Sequence, residues 1–99
     1  MLTNAHRDFI NALTCKLESA MVLGMIAELY VNGERSETLF RNVATMGYGI
    51  SADRFNEIVN LGLDAGIWVS TVASFTKSGR PRTSFIIGKV KTVCALRIA

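Results

Sequence analysis

Between Ser51 and Val90 the chain changes its hydrophobic period once, and that change restricts what it can fold into. Phe55, Ile58, Val59, Gly62 and Leu63 recur at intervals of three and four residues, which is one face of an α-helix. Ser51 ahead of them is a residue type that caps helices, and Asp53 puts an acid where the helix dipole favours one. Gly66 is placed to end the run. Beyond it the chain turns β-branched and aromatic in two runs, Ile67 to Thr76 and Thr83 to Val90, parted by KSGRPR. The Ser-Gly and Arg-Pro steps break any helix between the runs, so they read as a hairpin. A helix over about 51–65 therefore feeds directly into two antiparallel strands.

Upstream, residues 4–31 have a helical pattern, with Phe9, Leu13, Leu17, Ala20, Leu23, Ala27 and Tyr30 on one broad face. That face is expected to point inward. Gly24 is the place where this stretch would kink or divide into two helices, and Asn32-Gly33 should stop it. A shorter helix is expected from Ser36 to Met46, with Leu39, Phe40, Val43 and Ala44 or Met46 inward. Gly47-Tyr48-Gly49 breaks it before the helix at 51 begins. The last segment, 91–99, is short and apolar and fits a strand or a short helix. The expected class is α+β in a single domain over 1–99: a helical part at about 4–66, a hairpin at about 67–90 and a basic tail at 91–99. The chain's 99 residues suit one modest core.

Charge is divided along the chain. Residues 1–66 carry five cations against eight acids, whereas residues 67–99 carry six cations and no acid. An acid-free basic end suggests contact with a polyanion, and equally fits a solvated tail. No apolar run approaches the ~20 residues needed to cross a bilayer. The opening MLTNAHRDF lacks the pattern of a secretory signal, so a cytoplasmic chain without a membrane partner is expected. Cys15 and Cys94 form no metal-binding motif, and His6 is the only histidine, so neither metal nor cofactor is expected. The two cysteines are either inert thiols or a disulfide, and a reducing compartment favours the thiols.

The order of helices, a glycine-containing connection, a helix and a basic hairpin is where a resemblance enters. The stretch SETLFRNVATMGYGISADRFNEIVNLGLDAGIWVSTV resembles the winged helix-turn-helix superfamily, most of all in FNEIVNLGLDAGIW, where a recognition helix leads into the first wing strand. The resemblance covers about residues 14–90. A more distant one, in ISADRFNEI and the paired strands, is to small bacterial activators of the CaiF/GrlA type. Both imply three or four helices followed by a β-hairpin wing, duplex DNA as partner, and transcription regulation as the role. The helix from Ser51 to Ala65 would enter the major groove, and the hairpin would lie along the backbone or minor groove.

The residues suit that chemistry without reference to any family. Arg54, Asn56, Glu57 and Asn60 lie opposite the apolar stripe, and such side chains can bond guanine, adenine and cytosine edges. Lys77, Arg80 and Arg82 could neutralise phosphates, with Ser51, Thr76, Ser78 and the Gly79 amide adding positioning contacts. Arg80-Pro81-Arg82 holds two cations on a stiff tip suited to a narrow minor groove. Against this, Asp53, Glu57 and Asp64 leave the helix net negative. The same face could be an ordinary solvated surface, or the docking surface of a protein-binding accessory or inhibitor module. Trp68 is assigned to the core. A homodimer is expected, since pairing doubles a small DNA site, with the turn around Phe9, Ile10 and Leu13 as the contact. Nucleotide-binding glycine motifs and catalytic constellations are absent from the sequence, so catalysis is not expected.

Overall fold

The computed structural model describes residues 2–75, 78–79 and 81–88. Helix α1 (Asn4–Ala12) begins at a capping box in which a histidine stands where Glu or Gln is usual. The Thr3 hydroxyl accepts from the His6 N–H at 3.1 Å, and His6 Nδ1 accepts from the Thr3 N–H at 3.4 Å. Leu13 and Cys15 then adopt extended backbone and divide α1 from α2 (Lys16–Asn32). The division falls there and not at Gly24, which lies inside an unbroken α2. Ser19 fixes the corner, its hydroxyl donating to the carbonyls of Ile10 and Leu13 at 3.4 and 3.5 Å. Gly33, at φ 82°, ends α2 as expected.

A three-residue strand missed by sequence reasoning follows, β1 (Glu34–Ser36), and leads into α3 (Glu37–Asn42). Ser36 caps α3 by accepting from the Leu39 N–H at 3.1 Å. One π-helical turn, Val43–Gly47, closes on a 3.2 Å bond from the Tyr48 N–H to the Val43 carbonyl. Gly49, at φ 70°, makes the corner into α4 (Ala52–Asp64). Strands β2 (Trp68–Phe75) and β3 (Pro81–Ile87) form the expected hairpin, irregular between Val72 and Ser74. The sheet is antiparallel in the order β1-β3-β2, with Glu34 opposite Ile86 and Trp68 opposite Ile87. Among the described residues, four helices and a three-stranded antiparallel sheet make an α+β fold.

The core lies between the helices and one face of the sheet. Trp68 and Phe85 point inward while their neighbours Val69 and Ile86 are exposed, the alternation of a strand half-covered by helices. Trp68 meets Phe9 edge-on at 5.8 Å and lies 6.4 Å from Phe85, which stacks on Phe40 at 6.2 Å. On α4, Phe55, Ile58, Val59 and Gly62 are buried as their spacing requires, while Leu63 is half-buried.

Helix α2 differs from expectation in its inward face. Met21, Val22, Met25, Ile26 and Leu29 are buried, whereas Leu17, Ala20, Leu23, Ala27 and Tyr30 are exposed. The two stripes lie on nearly opposite sides of the helix. The buried one has no alanine, and burial free energy follows apolar area, so the bulkier stripe wins the core. On α3 and the π turn only Phe40 and Ala44 are buried; Leu39 is exposed on α3, and Val43 and Met46 are exposed on the wider turn that follows Asn42. In the turn expected to pair two copies, Leu13 is buried and Phe9 and Ile10 are partly buried against the core.

Candidate nucleic-acid interface

Helix α4 and the hairpin are joined through Gly62 and Trp68. Residues 65–67 make the connection, and the Ile67 N–H bonds the Gly62 carbonyl at 2.9 Å. Trp68 is fully buried and donates from Nε1 to the Val59 carbonyl at 3.0 Å, so its ring lies across the last turns of α4. A Cβ on Gly62 would fall on that ring, 2.8 Å from Nε1 and closer to two ring carbons. The Gly88 N–H returns to the Ile67 carbonyl at 2.8 Å and ties the end of β3 to the same corner. Four backbone and side-chain constraints thus hold the helix and both strands as one piece.

On α4 the capping hydroxyl of Ser51 is exposed and already accepts from the Arg54 N–H at 3.1 Å. Arg54, expected on the face opposite the apolar stripe as a base-reading side chain, is engaged by two carboxylates. Its Nε donates to Glu18 Oε2 at 2.8 Å and its Nη2 to Glu18 Oε1 at 2.9 Å, a bidentate pair that ties α4 to α2. Its Nη1 reaches Glu57 Oε1 at 3.1 Å. Hydrogen bonding to Arg54 holds the Glu18 carboxyl below the usual carboxylate range, and the pair of acids raises the Arg54 guanidinium further. Glu18 is 12% exposed and Glu57 65%, so the first pair is largely shielded and the second is in solvent.

Asn56 and Asn60 are exposed on the same helix. The Asn56 amide oxygen accepts from Arg41 Nη2 at 3.1 Å, and that nitrogen also bonds Glu37 at 2.8 Å while the guanidinium lies 5.6 Å from the centre of the Phe55 ring. Arg41 therefore orients Asn56, a role that sequence reasoning missed. Neither Glu18 nor Arg41 stands at helical spacing from its partner on α4, so no local pattern marks them. Among the described residues Arg35, Arg41 and Arg54 are each bound to an acid: Arg35 to Glu28, Arg41 to Glu37, and Arg54 to Glu18 and Glu57. Asp53 and Asp64 are exposed on α4.

On the hairpin, Ser78, Gly79 and Arg82 are exposed, and Gly79 turns at φ 88°. Thr76, Lys77 and Arg80 lie outside the described residues, as does Cys94; Cys15 is exposed with a free thiol. Among the described residues no helix is long and apolar enough to cross a membrane, and no cluster of His, Cys, Asp or Glu could hold a metal ion.

Two apolar grooves flank α2. One of about 220 Å³ lies between α2 and α3, lined by Met21, Met25, Leu39, Phe40, Val43 and Tyr48 among others. The other, about 370 Å³, is bordered by Leu2, Leu23, Ile26, Ala27, Tyr30 and Val31. Beside Tyr30 sits His6, buried, with Nδ1 accepting from the Thr3 N–H. Its Nε2 is buried without a hydrogen-bond partner among the described residues, and burial holds the imidazole below its usual pKa. Compared with known protein families, curated proteins and solved structures, the chain matches none.

Proposed function

We propose that this chain is a small DNA-binding transcription regulator of winged-helix type, with α4 facing the major groove and the β2–β3 hairpin serving as a wing along the phosphates. The observation that carries the reading is the fused corner at Gly62 and Trp68. A helix and a hairpin packed together at one corner can address two features of one duplex at a set spacing. The acid-free composition of residues 67–99 supplies the second support, since cations gathered at one end bind phosphate by counterion release. Asn56 and Asn60 are the exposed amides available for adenine. In this reading the chain acts as a homodimer in the cytoplasm, pairing through the outward stripe of α2 around Leu23, Tyr30 and Val31, because the Phe9–Leu13 turn is spent on the core.

A second reading, a protein-docking module of the same architecture, is favoured by one specific observation. The only cation on α4 is bound to acids, and Met46 nearby in sequence is 83% exposed. Repeated rounds of selection from a pool of random duplexes separate the two. Enrichment of a common site supports DNA reading; recovery of a pool as random as the input supports the docking module.

A further inference from the structure

The Arg54 side chain on α4 is held by a bidentate pair from another helix. Glu18, on α2, holds both nitrogens of its Nε–Nη2 edge through two bonds under 3.0 Å. A guanidinium is planar and carries five N–H groups, so fixing one edge fixes the direction of the opposite Nη1–Nη2 edge. That outer edge retains donors, since only one of its bonds is used, by Glu57 on the solvent side. An ion pair as exposed as Arg54–Glu57 contributes little and yields readily to a better acceptor. The Arg54–Glu18 pair also has no net charge. It adds nothing to long-range attraction for phosphate, and what it offers is two hydrogen-bond donors aimed in a set direction. Neighbouring acceptors in the plane of a single partner, as on the N7/O6 edge of guanine, match that offer.

We propose that Arg54 is a specificity-determining residue that reads a guanine, and that Glu18 is the positioning residue that aims it. This rests on the DNA-binding reading and adds to it which base is read and why an acid on α2 is required. Glu18→Gln keeps the size of the side chain and removes its second acceptor and its charge, so Arg54 gains rotational freedom. Discrimination falls, while sequence-independent binding by the hairpin cations persists.

The test takes the duplex selected by the wild-type chain and a scrambled duplex, and titrates wild type, Glu18→Gln and Arg54→Lys on each at several salt concentrations. Urea midpoints accompany each variant, so that loss of folding is seen separately. Both variants are expected to lose about ten- to hundred-fold on the selected duplex and little on the scrambled one, with the salt slope of Arg54→Lys unchanged. Replacing each guanine of the site in turn by 7-deazaguanine, which lacks the N7 acceptor, is expected to weaken wild type at one position and leave both variants indifferent there. Parallel losses on both duplexes would make Glu18 a purely structural partner and overturn the proposal. So would unchanged discrimination in Glu18→Gln, or a site in which no 7-deazaguanine matters, with DNA reading by other residues left standing. A wild type that selects no site removes the proposal together with the reading beneath it.

Discussion

Replacing Gly62 by alanine sets helix propensity against packing on one residue. In an isolated helix the change stabilises by about 1 kcal/mol, because alanine loses less backbone entropy than glycine. Here the added methyl would fall on the Trp68 ring, which is fully buried. Overpacking of this kind costs about 1–3 kcal/mol. Moving the ring also stretches the bond from Nε1 to the Val59 carbonyl, worth about 1 kcal/mol. With the propensity gain subtracted, Gly62→Ala is expected to destabilise by about 1–3 kcal/mol. Trp68 is the only tryptophan, so its fluorescence during urea denaturation reports both the stability and the state of this corner. Asn60→Ala, at an exposed position two residues earlier, serves as the control and should be neutral or slightly stabilising. A Gly62→Ala variant as stable as wild type, with unchanged emission, would refute the seating of the ring on α4.

Other perturbations probe the core, the titrating groups and the hairpin. Ile58→Ala removes a fully buried side chain and should cost about 2–5 kcal/mol; a loss under about 1 kcal/mol in the same assay would contradict the phase of α4. His6 is held below its ordinary value of 6.5, first by burial and then by the positive amino terminus, so the unfolded chain takes up the proton first and stability falls as pH drops through about 6.5. Glu18 is held below its ordinary 4.5 by Arg54, so its contribution is present above that pH and lost as pH falls through the lower folded value. Urea midpoints from pH 7.5 to 3.5 should therefore flatten in the upper window for His6→Gln and in the lower window for Glu18→Gln; unaltered profiles would contradict both assignments. Arg80→Ala with Arg82→Ala should weaken binding on every duplex and make the salt slope shallower by about one to two units, measured by titration; an unchanged slope would remove the hairpin from the contact.

How much was legible in the sequence depended on whether a local pattern carried the structure. Helix α4 was, because Ser51 caps it, Phe55, Ile58 and Val59 mark its inner face, and Gly66 follows its end. The hairpin was also legible from its residue types and the turn between them. Helix α2 was misread because it is apolar on two sides, and periodicity identifies a stripe without saying which of two is covered. Strand β1 was invisible: Glu34, Arg35 and Ser36 have no preference for a strand, and β3 imposes one by pairing with them. The break at Leu13–Cys15 has no glycine or proline, being made by burial of Leu13 and the bonds from Ser19. At the candidate interface, residue types on α4 could be picked out, but Arg54's partner lies 36 residues away on another helix. Side-chain availability is a tertiary property.

The central claim is that this chain holds duplex DNA, with the hairpin's cations on the phosphates. The most direct measurement is fluorescence anisotropy of a labelled random duplex, titrated with the chain between about 50 and 200 mM salt. Three phosphates neutralised by Lys77, Arg80 and Arg82 give log K falling linearly with log salt, with a slope of about −0.9 for each contact, so near −3 per chain. A binding isotherm at the lowest salt and that slope are the expected result. No measurable binding at the lowest salt, or an affinity that salt does not change, would contradict the claim.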